Sequence, residues 1–175
     1  FHGLLEINNS RNKPISYIIK SLKIENKVLS EDVSYRIAPL LNSSGRLSSA
    51  EIGVKALLSD RKVNSYTIIK SLIDLNNQRK EIQKETLNEA DLALNSSKNS
   101  IIVFSEKWHK GIVGIIASNL VEKYNKPSIV LTQEKNNLVG SVRTAKGINI
   151  LEILDKCSVF LTKYGGHKSA AGLSL

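Results

Sequence analysis

The sequence predicts an α/β protein: a helical N-terminal region and a long connecting helix, followed by an α/β lobe whose mixed β-sheet is flanked by helices. Three observations predict this fold. Apolar residues recur at helical spacing near the start of the chain, and one helical pattern then runs over about residues 64–95. After a polar loop, short apolar runs alternate with helical segments, which is typical of an α/β lobe.

The N-terminal region reads as short helices. Pro14 fits the first turn of a helix over about residues 14–24, and Ser30, followed by two acidic residues, is a plausible cap for a second helix. Pro39 is expected to bend the end of that helix, and residues 42–45, Asn-Ser-Ser-Gly, predict a turn.

A third helix in this region is predicted from a capping box. Ser48 is followed three residues later by Glu51, and the helical pattern then continues to about Leu58.

The long helix of about 30 residues would span ~45 Å, which suits a connector between two lobes. The alternative is two shorter helices with a break near Asn76-Asn77. The polar stretch 95–99 is the best internal boundary, so we expect a helical interdomain region over 1–63, a connecting helix over 64–95 and an α/β domain over 96–175.

The α/β domain follows the order strand, helix, strand, strand, helix, which predicts a mixed sheet. The strands are expected at about residues 101–104, 128–131 and 137–143, and the helices at about 112–124 and 150–157.

Composition favours a polyanionic partner. Lys and Arg total 25 against 16 for Asp and Glu, a net charge of +9 that attracts nucleic acid. A Lys- and Asn-rich proteome would give the same excess. The lone Cys157 fits a reducing cytoplasm, and we see no apolar run that would span a membrane. Because the chain opens at Phe1 without methionine and ends in an apolar segment, we expect a fragment truncated at its C-terminus.

Four clusters could contact phosphate. Arg46, predicted between a glycine turn and a capped helix, could bind a phosphate there or be an ordinary surface charge. The loop Trp108-His109-Lys110 precedes a helix, where His109 and Lys110 could bind an anion. Trp108 could stack on a base or fill the core.

The other two clusters lie further along the chain. Ser141 and Arg143 alternate on a strand and could grip one phosphate, or could be an exposed edge pair. Gly165 and Gly166 could present their N–H groups in a concave nest beside His167, or could form a flexible turn.

A metal site is not predicted in this chain. The three histidines are scattered, no HExxH or paired-cysteine spacing occurs, and the acidic residues do not cluster in the sequence as two metal ions would require.

Together the clusters resemble the RecJ exonucleases of the DHH phosphoesterase superfamily. The similar stretches are Tyr35-Arg-Ile-Ala-Pro-Leu-Leu-Asn-Ser-Ser-Gly-Arg46, Trp108-His-Lys-Gly-Ile-Val-Gly-Ile-Ile-Ala117, Gly140-Ser-Val-Arg143 and Gly165-Gly-His-Lys-Ser-Ala-Ala-Gly172. Their order and spacing match the family over nearly the whole chain. The sequence departs from the family at Thr144, where serine is common, and at Lys110, where proline is.

The resemblance implies a metal-dependent 5′→3′ exonuclease that acts on single-stranded DNA in repair and recombination. It implies two Mn²⁺ or Mg²⁺ ions held by a DHH domain that is absent here, so this chain would bind no metal and would be inactive alone. It also implies that Arg46, Ser141 and Arg143 form the pocket for the DNA 5′-phosphate.

The same resemblance implies supporting catalytic roles for His109 and His167 near the scissile phosphate, with Gly165 and Gly166 beside it. Trp108 and Lys110 are the remaining expected contacts. Other readings stay open: a nanoRNase or cyclic-dinucleotide phosphodiesterase of the same superfamily, or a stand-alone nucleic-acid-binding module.

Overall fold

The computed structural model describes residues 2–9, 12–58, 62–94, 99–145 and 147–175. It divides into two compact units, Phe1–Lys80 and Glu81–Leu175. The division falls inside the long helix, and residues 95–98 of the polar stretch lie outside the described residues. Among the described helices, none is both long enough and apolar enough to cross a bilayer.

The first unit is helical. Its elements are α1 (His2–Asn8), α2 (Lys13–Ser21), α3 (Ser30–Asp32), a π-helical turn (Val33–Ile37), α4 (Ala38–Leu47), α5 (Glu51–Leu58) and the first part of α6 (Lys62–Leu92). Apolar residues from several of these helices, and Val28 from the segment before α3, bury together in its core; the buried residues are Ile18, Val28, Ile37, Leu40, Ala56, Ile69 and Leu72.

The turn predicted at residues 42–45 is wrong, because those residues lie inside α4. Asn, Ser and Gly favour turns when they are exposed, but Ser43 and Ser44 are fully buried here. Their hydroxyls donate to the carbonyl oxygens of Leu40 (2.6 Å) and Leu41 (3.1 Å), so burial within the helix leaves no polar group unsatisfied.

Pro39 does not end a helix either. It lies in the first turn of α4, directly after the π-helical turn. Helical structure runs without a break from Ser30 to Leu47, so Pro39 removes one backbone hydrogen bond from this run, and the irregular π-helical turn lies directly before α4. The predicted capping box also differs in detail, since the backbone N–H of Glu51 bonds the Ser49 hydroxyl (3.3 Å).

Helix α6 is continuous over 31 residues, so the predicted alternative of a break near Asn76-Asn77 is wrong. Asn76 is only 7% exposed, and its side-chain oxygen accepts from Arg79 Nη2 at 2.6 Å. The side-chain amide of Asn76 is therefore bonded to a residue three positions further along the same helix. It does not compete with the helix for its backbone hydrogen bonds.

The second unit is built on a five-stranded mixed sheet. Its strands are β1 (Ile101–Phe104), β2 (Ser128–Glu134), β3 (Asn137–Arg143), β4 (Lys163–His167) and β5 (Ala170–Ser174), in the order β1-β2-β3-β5-β4. β1 and β2 are parallel and the other pairs are antiparallel. The helices are the end of α6, α7 (Lys110–Tyr124) and α8 (Ile150–Lys156), with a 3₁₀ turn at Ser158–Phe160.

The two faces of the sheet carry different helices. Val142 and Ala171 pack with Ile150 and Leu154 of α8 on one face. Ser141 and Arg143, the neighbours of Val142 on β3, point to the opposite face because successive strand residues alternate. That opposite face is the one against which Gly114 of α7 lies.

Strands β4 and β5 were not predicted. The Gly-Gly pair in β4 is typical of a turn, yet Gly165 and Gly166 are paired with Gly172 and Ala171 in a β-hairpin. Gly166 has a φ of +153°, and a Cβ there would overlap the backbone of Ala170 and Ala171. The glycine is therefore required for close approach of the two strands, and the predicted concave nest is replaced by a strand.

Candidate nucleic-acid interface

Ser141 and Arg143 form a hydrogen-bonded pair on β3. Arg143 Nη1 donates to Ser141 Oγ (2.7 Å) and to the carbonyl oxygen of Val142 (2.7 Å). The two side chains share a face because they are two residues apart on a strand. The guanidinium is thus held against the sheet surface next to a hydroxyl, and a planar donor fork so placed suits a phosphate oxygen.

Helix α7 comes close to this pair because Gly114 has no side chain. A Cβ at Gly114 would lie 3.2 Å from Arg143 Nη2 and 3.3 Å from Ser141 Oγ. Both distances are tighter than ordinary van der Waals contact. Gly114 therefore gives the Ser141 and Arg143 side chains the room that they occupy between the helix and the sheet.

The strand register places further predicted residues on the same face. Arg143 pairs with Ala170, which pairs with His167, so these three residues form one row across β3, β5 and β4. Directly opposed residues of antiparallel strands point to the same face, and two strand spacings put Arg143 and His167 about 10 Å apart.

The neighbouring row is almost free of side chains. Ser141 pairs with Gly172, which pairs with Gly165, and Gly165 and Gly172 are exposed. A Cβ at Gly165 would have no atom of the described structure within 4 Å. We call the exposed backbone of Gly165 and Gly172 the floor of this face. Ser141 and Arg143 lie at one edge of the floor and His167 lies at the other. Because the two glycines have no side chains, a ligand can approach the backbone closely here.

His109 is the N-cap of α7. Its Nδ1 accepts a hydrogen bond from the backbone N–H of Gly111 at 3.1 Å. A ring nitrogen that accepts carries no proton, so the neutral imidazole has its proton on Nε2. The cap thus fixes the tautomer and leaves Nε2–H as the donor that a substrate oxygen could use.

Trp108 anchors the loop that carries His109. Its side chain is 5% exposed and its Nε1–H donates to the Glu89 carboxylate at 2.8 Å. Its carbonyl oxygen accepts from the buried Thr132 hydroxyl at 2.6 Å. Stacking of this ring on a base is not supported by a position so buried, whereas an anchoring role is.

Lys110 forms an ion pair with Glu134 of β2 on the surface of the second unit. Both side chains are partly exposed, at 59% and 40%. The charge of Lys110 is thus partly matched within the chain, which weakens it as a candidate for binding phosphate.

Arg46 belongs to the first unit. It is exposed in the last turn of α4, not in the loop before a helix as the sequence suggested. The backbone groups left without helical partners at that end are carbonyls, which favour a cation but do not bind an anion. A phosphate at Arg46 would therefore be held by side chains.

Sequence reasoning missed the residues that support this surface. Glu89 and Thr132 hold Trp108 from positions 19 and 24 residues away, and no local pattern signals such contacts. The floor glycine Gly172 could have been recognised only from the strand pairing.

Within the described residues, no group of three or more His, Cys, Asp or Glu side chains is placed to hold a metal ion.

Comparison with known proteins defines the class of the second unit. Residues 97–175 match the DHHA1 domain family. The surface described above, from β3 to the β4–β5 hairpin, lies entirely within this DHHA1 domain.

The chain as a whole belongs to the RecJ family. It is 33% identical to the single-stranded-DNA-specific exonuclease RecJ of Bacillus subtilis over 150 residues, which is 83% of this chain and 19% of that protein. The RecJ of Salmonella typhimurium is 30% identical over 191 residues, covering 100% of this chain and 33% of that protein. The chain thus spans a fifth to a third of the length of these relatives.

Solved structures agree with the sequence matches. A crystal structure of RecJ from Thermus thermophilus in complex with Mg²⁺ superposes with a TM-score of 0.90 at 27% identity, over 99% of this chain and 27% of that one. A manganese-bound exonuclease RecJ gives a TM-score of 0.84 over 99% of this chain and 43% of that one. The helical region and the mixed sheet predicted from the sequence are therefore confirmed as a RecJ-type fold.

Proposed function

We propose that this chain is the substrate-holding part of a RecJ-like exonuclease that removes nucleotides from single-stranded DNA in the 5′→3′ direction. The observation that supports it best is the Ser141–Arg143 pair beside a glycine floor, with His167 on the same face of the sheet. A guanidinium fixed by a neighbouring hydroxyl provides directed donors for a phosphate, and bare backbone lets a sugar–phosphate chain lie against the sheet.

Arg143 and Ser141 would bind the 5′-phosphate, and Arg46 is a further residue for which we propose a contact with DNA phosphate. Binding of the terminal phosphate at a fixed place determines which phosphodiester bond is cleaved. The next phosphorus atoms lie at distances from it that are set by the length of a nucleotide. His109, with its proton fixed on Nε2, and His167 would donate to non-bridging oxygens and stabilise charge that develops there.

RecJ structures hold Mg²⁺ or Mn²⁺. The described residues of this chain do not gather the carboxylates and imidazoles that such ions require, so we place the metal site in a part of the protein that this chain does not contain. The 175-residue chain is accordingly expected to bind DNA without cleaving it. Metal-dependent turnover by the chain alone, abolished by a chelator, would contradict this.

Binding of matched oligonucleotides tests the proposal. A 5′-phosphorylated single strand should bind the chain more tightly than its 5′-hydroxyl counterpart, and Arg143→Ala should remove about ten- to hundredfold of affinity for the phosphorylated form alone. Lys156→Ala is the matched control, because Lys156 is an exposed cation on α8, which covers the opposite face of the sheet. Equal binding of the two oligonucleotides by the unaltered chain would refute the assignment.

A further inference from the structure

The glycine floor of the second unit is bordered by a third row of side chains. Val139 pairs with Ser174, which pairs with Lys163, so these three residues form a row across β3, β5 and β4. Each of them lies two residues along its strand from a member of the Ser141 row and therefore points to the same face of the sheet. The floor thus lies between this row and the row that contains Arg143.

A cavity of about 350 Å³ opens where the floor meets this third row. Its lining includes both floor glycines and all three residues of the row. Tyr164 and Leu173 also line it, but their side chains pack with the α8 cluster on the other face, so they contribute backbone. The cavity is therefore open on the face of Ser141, where the glycines leave room that side chains would fill.

Lys163 supplies positive charge at the wall of this cavity. It is exposed, and no carboxylate among the described residues forms an ion pair with it. Lys110 differs in this respect, because Glu134 partly matches its charge. A cation beside a concave, open surface attracts an anionic ligand into it.

The hydroxyl of Ser174 lies beside Lys163. Its Oγ donates to the carbonyl oxygen of Lys163 at 3.4 Å, which is long for a hydrogen bond from a hydroxyl group. Little stability is therefore lost when this hydroxyl turns to a ligand. A cation next to a serine hydroxyl repeats the combination of Arg143 and Ser141 on the other side of the floor.

The two cations lie far apart on the sheet. Lys163 is four residues from His167, which belongs to the Arg143 row, and β4 is two strands away from β3. These offsets separate the Cα atoms of Arg143 and Lys163 by about 17 Å. That distance exceeds the spacing of neighbouring phosphates in a strand, so the two cations suit different phosphates of one nucleic acid.

We propose that Lys163, together with the Ser174 hydroxyl, binds an internal phosphate of the strand whose 5′-phosphate lies at Arg143. The sugar–phosphate chain crosses the glycine floor between the two sites. This inference rests on the proposed function, which identifies the ligand as single-stranded DNA. It adds a contact that does not depend on the chemistry of the 5′ end, and so holds the strand along the sheet.

The test compares Lys163→Gln, Lys163→Arg and Ser174→Ala with Lys156→Gln in the 175-residue chain. Lys156 is the matched control, because it is an equally exposed lysine on α8, at the opposite face of the sheet. Affinity for oligothymidylate with a 5′-phosphate and with a 5′-hydroxyl is measured for each variant over a range of salt concentrations. Thermal midpoints, with and without inorganic tripolyphosphate, establish that each variant is folded.

We expect Lys163→Gln to lose about tenfold in affinity for both oligonucleotides, so that the preference for the 5′-phosphorylated form is kept. Loss of one phosphate contact should also reduce the slope of log affinity against log salt by about 0.7. Lys163→Arg should retain the affinity and Ser174→Ala should lose about threefold, while Lys156→Gln changes it by less than about twofold. Tripolyphosphate is expected to raise the thermal midpoint of the unaltered chain by more than that of Lys163→Gln.

Failure of this inference can be told apart from failure of the proposed function. If the unaltered chain binds DNA and Lys163→Gln binds it equally well, the role of Lys163 is refuted while the proposed function stands. If Lys163→Gln abolishes the preference for the 5′-phosphate, Lys163 contacts the terminal phosphate and the internal site is refuted. If DNA does not bind but tripolyphosphate stabilises the chain through Lys163, the phosphate site exists and the proposed function is wrong. Absence of both effects overturns both proposals.

Discussion

Arg143 Nη1 donates to the hydroxyl of Ser141 across 2.7 Å, and both side chains lie under Gly114 of α7. One hydrogen bond and one missing side chain thus define the position of the guanidinium.

Gly114→Ala is expected to weaken binding of a 5′-phosphorylated strand by about tenfold, because the added methyl group would force Arg143 and Ser141 to move. Gly3→Ala is the control: Gly3 is also helical, and a Cβ there meets no described atom within 4 Å. Both substitutions improve helix propensity. If Gly114→Ala binds as well as Gly3→Ala does, Gly114 has no positioning role.

The two glycines of β4 should respond differently to alanine. Gly166→Ala should destabilise the fold by more than about 2 kcal/mol, because a Cβ there overlaps the β5 backbone at a φ of +153°. Gly165→Ala should fold normally but bind DNA less well, since its methyl group would stand on the floor where we place the ligand. Unfolding by urea and oligonucleotide titration measure the two effects. Normal DNA binding by a folded Gly165→Ala variant would show that the ligand does not cover this floor.

Intrinsic fluorescence tests the assignment of Trp108, the one tryptophan of the chain. A ring that is 5% exposed and bonded to Glu89 should keep its emission when single-stranded DNA is added to saturation. Trp108→Phe should lower the free energy of unfolding by about 1–2 kcal/mol through loss of that bond, with affinity unchanged. Strong quenching by DNA would instead place a base against the indole.

His109 is expected to have two separable roles. His109→Ala should cost about 1 kcal/mol of stability by removing the N-cap of α7, whereas His109→Asn should retain the cap. In an intact enzyme that contains this chain, both variants should cleave DNA about ten- to hundredfold more slowly, because both lack the Nε2–H donor. Full activity of His109→Asn would assign His109 to the cap alone.

Alkaline unfolding should report on Tyr164. A hydrogen bond to the Asp155 carboxylate, followed by burial and by the negative charge of Asp155, raises the pKa of Tyr164 above its usual value near 10. The neutral phenol is thus favoured in the folded chain, so its contribution to stability is complete below about pH 10 and is lost as the pH rises through the folded-state pKa. Tyr164→Phe should lose less stability over that range. An identical alkaline dependence in the variant would exclude this coupling.

The sequence predicted most of the helices and strands but not which distant elements they contact. Periodicity located α6, α7 and strands β1 to β3, because these elements bury one regular face or a continuous apolar run. It failed at residues 42–45 and 163–167, where turn-forming residues are held in a helix and a strand by contacts with distant parts of the chain. Ser141 and Arg143 could be paired from strand alternation alone, whereas the row that joins Arg143 to His167 depends on the order of the strands.

Helix α6 contributes Ile69 and Leu72 to the core of the first unit, and in the second unit its later turns bond Trp108 through Glu89 and Lys123 through Asp91. Helix formation is cooperative along a continuous segment. Melting of some turns therefore makes the adjacent helical turns less stable. Melting of the later turns of α6 should therefore remove the partners of Trp108 and Lys123 and lower the hydrogen-exchange protection of amides in α7.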